Sequence, residues 1–216
     1  MTVWNSIDKI IYINLSECTD RKIMILRELS IVPFDKIIRF DAIKEEHGAI
    51  GCTKSHIKCL EMAIENNWKS ILIVEDDAMW YKYNENILIL DRLFKQPFDV
   101  ILLGGMNAKF NKNTYKLFNA LTTTAYIVSS DYYKILLNNF NEGLKLLEND
   151  TNINKYAIDQ YWKLLQQKDN WYIVNPALMI QRPSYSNILK RNVNYTQYFN
   201  TNKQNNLLIK LFSRKK

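Results

Sequence analysis

Short apolar runs alternate with segments of helical spacing along most of the chain. Continuous apolar runs predict strands that are buried on both faces, whereas apolar residues three and four apart predict amphipathic helices. The predicted strands span residues 9–15, 36–40, 70–75, 98–103, 123–129, 171–174 and 178–180. The predicted helices span residues 21–30, 51–67, 86–94, 131–139 and 154–167. This alternation predicts an α/β fold with a mainly parallel sheet.

Three segments allow more detailed structural predictions. Thr19 or Asp20 is expected to cap the first helix, with Ile23 among its inward-facing residues. The polar, asparagine-rich stretch 138–154 favours a loop or a mobile lid. Residues 1–200 are expected to form one domain, and 201–216 a tail that is apolar on one side and basic at its end. Such a tail favours either a helix bound to anionic lipid or a helix docked on the domain.

The net charge of +7 suits anionic partners, namely a nucleotide, a nucleic acid or an anionic membrane. Because the basic residues are scattered and no nucleic-acid motif is present, we expect no nucleic-acid partner. Cys18, Cys52 and Cys59 are odd in number and lack a CxxC pair, which predicts free thiols. Free thiols and the lack of a secretory pattern favour the cytoplasm, at the membrane face if the tail binds lipid, or the host cytoplasm for a viral protein.

The apolar run 71–74 leads directly into Glu75, Asp76 and Asp77. Open α/β sheets bind ligands at the carboxyl ends of their strands, which is where these acids are predicted to lie. Adjacent carboxylates repel one another, and a divalent cation would offset that repulsion. Oxygen ligands suit Mg²⁺ or Mn²⁺ better than Zn²⁺. The alternative is an acidic turn that ends a strand and binds nothing.

Four segments together resemble glycosyltransferase family 25, which includes bacterial lipooligosaccharide galactosyltransferases, collagen galactosyltransferase domains and relatives in giant viruses. They are IIYINL (10–15) with Asp20 and Arg21; GAIGCTKSH (48–56) with LIVEDD (72–77); TAYIVS (124–129); and Ile158-Asp159 with residues 176–188. The spacing of GCxxSH about twenty residues before EDD is the most specific of these signals. The resemblance covers roughly residues 9–190.

This resemblance implies a GT-A type fold, in which a nucleotide-binding mixed, mainly parallel sheet is flanked by helices. It implies a UDP-sugar donor and an Mn²⁺ or Mg²⁺ ion held by Asp77 and Glu75. Ser55 and His56 are expected near the amino end of their helix, where anions bind favourably. The implied donor-binding residues are Asn14, Arg21, Ser55, His56, Glu75 and Asp76.

The resemblance also implies transfer with inversion, which needs a carboxylate to deprotonate the acceptor hydroxyl. Asp159 is the expected base, and Tyr126, Gln181 and Ser186 are expected on the acceptor side. The reaction would move galactose or glucose to a glycan, a lipid-linked saccharide (as in lipopolysaccharide biosynthesis) or hydroxylysine.

Two positions depart from the family pattern. The family usually has an acid at Ala49 and Asp at Asn187. These departures leave open a catalytically weak or idle domain that binds sugar nucleotides or acts as a scaffold. A metal-dependent phosphohydrolase would share the acidic strand end, but it would not need GCxxSH or TAYxxS.

Overall fold

The computed structural model describes residues 3–186 and 188–199, and there the apolar runs form the strands of a central sheet. The strands are β1 Lys9–Asn14, β2 Ile37–Asp41, β3 Ser70–Glu75, β4 Ala78–Trp80, β5 Val100–Leu102, β6 Met106–Phe110, β7 Leu117–Leu121, β8 Ala125–Ser129, β9 Trp171–Ile173, β10 Met179–Gln181, β11 Ser184–Ser186 and β12 Arg191–Val193. The α-helices are α1 Val3–Ser6, α2 Thr19–Glu28, α3 Gly48–Glu65, α4 Tyr83–Phe94, α5 Tyr133–Asn149, α6 Ile153–Tyr156, α7 Ile158–Tyr161 and α8 Lys163–Lys168. Short 3-10 turns lie at Leu29–Ile31, Phe34–Lys36, Ser130–Tyr132 and Thr196–Phe199.

The central sheet has six strands in the order β2-β1-β3-β8-β5-β9. β8 runs antiparallel to both of its neighbours, and the other pairs are parallel. The predicted α/β fold of GT-A type with a mixed, mainly parallel sheet is therefore confirmed. Because β8 is reversed, its first residues lie beside the carboxyl end of β3, where the Glu75 N–H donates to the Thr124 carbonyl at 2.9 Å. The end of β3 and the start of β8 therefore lie at the same edge of the sheet.

Both faces of the sheet are buried, which explains the continuous apolar runs. Ile11, Ile73 and Tyr126 point into one core, and α3 and α5 contribute Leu60 and Phe140 to it. A second core on the opposite face includes buried residues of α1, α2 and α4, such as Trp4, Ile25 and Leu90. No helix among residues 3–186 and 188–199 has the length and apolar character that crossing a membrane would require.

Several predicted helix boundaries differ from those in the structure. α5 continues through residues 138–149, because Leu136, Phe140 and Leu147 form a buried stripe among the asparagines; most of the predicted loop or lid is helix. In α2, the N-cap is Cys18 rather than Thr19 or Asp20.

Two further predictions about helices are wrong. Ile23 in α2 is 54% exposed, whereas Ile25 is fully buried. The predicted helix 154–167 is divided into α6, α7 and α8.

The short strand pairs outside the central sheet were not predicted, although one of their strands, β10, was expected. They are β4 with β10, β6 with β7, and β11 with β12. The predicted strand 178–180 exists as β10, but it joins β4 instead of the central sheet. A Cβ at Gly104 would lie 2.1 Å from the Met179 carbonyl oxygen, so β10 crosses the end of β5 where only glycine fits. The predicted tail, 201–216, lies outside the described residues.

Candidate active site

The acidic turn after β3 is held by three side chains from other elements. Asp76 and Asp77 are each 8% exposed. One guanidinium nitrogen of Arg21, Nη2, lies 2.8 Å from Asp76 Oδ1 and 2.8 Å from Asp77 Oδ2. Asn14 Nδ2 donates to Asp76 Oδ2 at 2.7 Å, and Gln181 Nε2 donates to Asp77 Oδ2 at 3.0 Å. Residues that are distant in the sequence therefore converge on the predicted acids.

These contacts leave the negative charge only partly compensated. Burial and the Glu75 carboxylate raise the pKa of Asp77 to about 7, although Arg21 opposes the rise. Burial also raises the pKa of Asp76 above its ordinary value. Asp77 Oδ1 is buried and has no hydrogen-bond partner among the described residues. A buried carboxylate oxygen without a partner beside further acids fits a divalent cation of the oxygen-preferring kind.

Glu75 contacts α3 and the segment before β8. Thr123 Oγ1 donates to Glu75 Oε1 at 2.6 Å, and His56 Nε2 lies 3.7 Å from the same oxygen. Burial opposes ionisation of Glu75, but the contacts with His56, Thr123 and Arg21 outweigh it and lower the pKa of Glu75. Glu75 is therefore the acid of the three whose pKa lies below its ordinary value.

The orientation of His56 is fixed by Tyr126. His56 Nδ1 and the Tyr126 hydroxyl oxygen lie 2.8 Å apart, and the two rings stack with centroids 5.6 Å apart. Both residues are fully buried. Tyr126 lines neither of the cavities described below, so its position supports His56 rather than direct contact with an acceptor.

The GCxxSH segment has a structural explanation within α3. A Cβ at Gly51 would lie 2.4 Å from the Ile43 carbonyl oxygen, so glycine lets the loop before α3 pack against the helix. Ser55 Oγ donates to the Gly51 carbonyl at 2.7 Å and accepts from the Ile43 N–H at 2.9 Å. Since α3 begins at Gly48, the expectation that Ser55 and His56 lie near its amino end is wrong. Ser55 holds the loop that forms one wall of the site.

A cavity of about 420 Å³ opens at the carboxyl ends of β1 and β3. The predicted site residues that line it are Arg21, Ser55, His56, Glu75, Asp76, Asp77, Gln181 and Ser186. Asn14 is buried beneath Asp76 and contributes by holding that carboxylate. The structure thus brings the predicted donor and metal residues to one place.

An adjoining cavity of about 270 Å³ contains Asp159 and shares Cys52, Glu75, Gln181 and Ser186 with the first. Asp159 lies in the first turn of α7, and its Oδ2 accepts from the Thr122 N–H at 3.0 Å. Burial raises the pKa of Asp159; the Thr122 N–H opposes that rise and Glu75 adds to it. Two neighbouring cavities with carboxylates in both suit two substrates that meet between them.

The backbone of Thr122, whose N–H donates to Asp159, is strained. Its φ is 83°, a region that β-branched residues rarely adopt. Strain of this kind persists where the surrounding structure imposes it, and it is common at functional sites.

The sequence model of glycosyltransferase family 25, described as an LPS biosynthesis protein, matches residues 46–135. This range includes GCxxSH, the three acids and the TAYxxS strand. This part of the chain is therefore similar to glycosyltransferase family 25. Asn14, Arg21, Asp159, Gln181 and Ser186 lie outside the matched range, so their assignment rests on the geometry above.

A solved glycosyltransferase structure shows the same fold. A glycosyltransferase involved in glycosylation of the major capsid of the virus PBCV-1 aligns with a TM-score of 0.51 and 13% identity, over 80% of this chain and 92% of that one. GlyE of Streptococcus pneumoniae aligns with a TM-score of 0.46 and 9% identity, over 78% of this chain and 45% of that one. No curated protein matches this chain by sequence.

Sequence reasoning missed two contributors to this site. Thr122 and Thr123 fix Asp159 and Glu75, respectively. The run of three threonines before β8 was a usable signal, because it ends at the sheet edge that carries the acids. Cys52 was interpreted only as a buried thiol, yet it lines both cavities.

Proposed function

We propose that this glycosyltransferase is a metal-dependent inverting enzyme that transfers galactose or glucose from a UDP-sugar to a glycan, a lipid-linked saccharide or hydroxylysine. The observation that carries the proposal is the pair of adjoining cavities. The first contains the acids with the unpartnered Asp77 Oδ1 and Arg21, and the second contains Asp159. A nucleoside diphosphate needs cationic groups that offset its charge, which the first cavity can supply. An acceptor hydroxyl needs a carboxylate that takes its proton, which the second cavity supplies.

Asp77 and Glu75 are the residues that would hold Mn²⁺ or Mg²⁺. Such an ion, when bound, supplies Lewis-acid stabilisation of the charge on the departing diphosphate. Arg21 would stabilise the same negative charge by a hydrogen bond. Its Nη2 holds both aspartates, while its buried Nε has no hydrogen-bond partner among the described residues and remains a donor for a phosphate oxygen.

Asp159 is the proposed general base. The Thr122 N–H holds one carboxylate oxygen and so fixes the orientation of the group. A raised pKa makes a carboxylate a stronger proton acceptor, provided that it is ionised at the working pH. Glu75 and Asp159 are the carboxylates that line the second cavity within the described part of the chain, and Glu75 is already engaged by Thr123. Asp159 is therefore better placed to take the acceptor proton.

A second candidate function is an idle domain that binds sugar nucleotides without transfer. The observation in its favour is Ala49, which is buried and lines the second cavity where the family resemblance implies an acid. The other departure, Asn187, lies outside the described residues.

The test combines ligand binding with turnover in three proteins. Thermal unfolding of wild type, Asp77→Ala and Asp159→Asn would be followed with UDP, UDP-galactose and UDP-glucose, each with and without Mn²⁺. A ligand at about 100 times its dissociation constant stabilises the native state by about 2.7 kcal/mol. We expect Mn²⁺-dependent stabilisation of wild type and Asp159→Asn but not of Asp77→Ala.

Turnover then separates the two candidate functions. Release of UDP in the presence of acceptor is expected from wild type and not from Asp159→Asn. Asp20→Ala, a change at an exposed acid near the site, is the control for charge alone. Stabilisation without UDP release from any acceptor would favour the idle domain. No stabilisation by any nucleotide would contradict both.

A further inference from the structure

Cys52, His56 and Glu75 form a three-donor cluster at the boundary of the two cavities. One ligand atom from each residue lies within 4.8 Å of the others. Cys52 and His56 are four residues apart on α3, so they share one face of that helix. Glu75 reaches the same point from the end of β3. The cluster supplies one sulfur, one imidazole nitrogen and one carboxylate oxygen.

The imidazole is aimed into the cluster. His56 is fully buried, and its Nε2 makes no hydrogen bond within residues 3–186 and 188–199. Its Nδ1 lies 2.8 Å from the Tyr126 hydroxyl oxygen. Without a cation, Nε2–H can face Glu75, which lies 3.7 Å away; with a cation bound, Nδ1–H would donate to the Tyr126 hydroxyl and Nε2 would offer its lone pair to the metal. An unpartnered buried nitrogen that faces a thiol and a carboxylate indicates a missing ligand.

Outer contacts fix two of the three donors in the manner of built metal sites. Tyr126 fixes the ring orientation of His56, and Thr123 holds the Glu75 carboxylate at 2.6 Å. Hydrogen bonds of this kind orient ligands and strengthen metal binding by about 10- to 100-fold.

We propose that Cys52, His56 and Glu75 form a site for a thiophilic divalent cation of the Zn²⁺ class. Sulfur and imidazole donors select Zn²⁺ and similar ions, whereas the oxygen donors of Asp77 suit Mn²⁺ or Mg²⁺. Metal–ligand bonds of about 2.0 to 2.3 Å place tetrahedral donors roughly 3.5 Å apart, so the cluster closes by about 1 Å on binding. The thiol proton passes to solvent as the thiolate binds. The adjoining cavities leave the fourth position open.

One consequence rests on the proposed function. Glu75 would serve both this site and the Mn²⁺ site, so Zn²⁺ would draw it away from the donor cavity. Micromolar Zn²⁺ should then weaken the Mn²⁺-dependent stabilisation by UDP in wild type but not in Cys52→Ala.

The first test uses Co²⁺ as a spectroscopic substitute for Zn²⁺, with no nucleotide present. Wild type should show a thiolate-to-cobalt charge-transfer band in the near ultraviolet and tetrahedral bands in the visible, all displaced by Zn²⁺. Cys52→Ala should lose the charge-transfer band. Cys18→Ala should retain it; Cys18 is a matched control because it is also partly buried and lines the first cavity.

A second test uses wild type alone and does not depend on whether a variant folds. Alkylation of each cysteine by iodoacetamide would be measured by mass spectrometry with and without Zn²⁺. Zn²⁺ should slow the reaction of Cys52 and leave the rate at Cys18 unchanged. The absence of a charge-transfer band, a band that survives in Cys52→Ala, or equal effects of Zn²⁺ on the two thiols would overturn the proposal. A failure of UDP to bind would contradict the proposed function and leave these two readouts unaffected.

Discussion

Replacing Asp77 by Asn is expected to stabilise the protein at neutral pH when divalent cations are absent. The pKa of Asp77 is raised to about 7 from the ordinary 3.8, first by burial and then by Glu75. That difference corresponds to about 4 kcal/mol of unfavourable ionisation in the folded state. Arg21 and Gln181 both contact Oδ2, so the one amide oxygen of Asn can keep both contacts, but Arg21 loses the negative charge of its partner. We therefore expect a net gain of roughly 1 to 3 kcal/mol, or about 2 to 10 °C in the midpoint for a domain of this size.

The pH dependence follows from the sign of the Asp77 shift. Between about pH 4 and pH 7 the folded protein keeps a proton on Asp77 that the unfolded chain has lost. Wild-type stability should therefore fall as the pH rises through this window. Asp77→Asn removes the titrating group, so the difference between the two proteins should be small near pH 4, grow up to about pH 7 and then level off.

The assay is thermal and denaturant unfolding with a chelator present, from about pH 4 to pH 8, the window that the Asp77 shift defines. Asp20→Asn makes the same change of charge at an exposed position close to Arg21 and should leave the profile nearly unchanged. A variant less stable than wild type at pH 7.5, with a difference that does not vary with pH, would refute the reasoning. Arg21 would then compensate Asp77 fully, and the case for a missing cation would fail.

Three further predictions concern packing and the imidazole. Gly104→Ala should lower the free energy of unfolding by several kcal/mol, since its methyl group would collide with a β10 carbonyl 2.1 Å away; unchanged denaturant unfolding would contradict the crossing described above. Ser55→Ala should cost about 1 to 3 kcal/mol because the Ile43 N–H loses its acceptor, with faster amide exchange at Ile43 as the specific readout. Tyr126→Phe should weaken Co²⁺ binding about 10-fold in an absorbance titration while keeping the thiolate band, because His56 loses its orienting hydroxyl; equal affinities would show that this contact does not matter.

Much of the central fold is predictable because its signals are local. The buried strands β1 and β3 follow from continuous apolar runs, and the position of the acids follows from the end of β3. α5 was cut short because asparagine is a weak helix former, while the stripe of Leu136, Phe140 and Leu147 that stabilises the helix is a tertiary effect. Local composition therefore gives a wrong helix end where tertiary packing determines how far the helix extends.

The donor site shows the same division between local and tertiary information. The family resemblance placed Arg21 among the donor-binding residues, and its proximity to that site follows from its place just after β1. Its bridge between Asp76 and Asp77 could not be foreseen, because it depends on how α2 packs beside the turn after β3. The contact of Gln181 with Asp77 likewise requires the pairing of β10 with β4; a strand was predicted at 178–180, but β4 and its pairing with that strand were not.

The His56 cluster depends on strand register to a degree that no motif reveals. Cys52 and His56 share a helix face by their spacing alone, but Tyr126 reaches His56 only because β8 pairs antiparallel to β3 with Tyr126 opposite Ile73. Ile73 and Glu75 are two residues apart and therefore point to the same face of the sheet as Tyr126. A slip of one residue between β3 and β8 would turn the Tyr126 hydroxyl to the opposite face and leave His56 without its partner. The register of one buried strand pair thus determines whether an imidazole, a thiol and a carboxylate form a site.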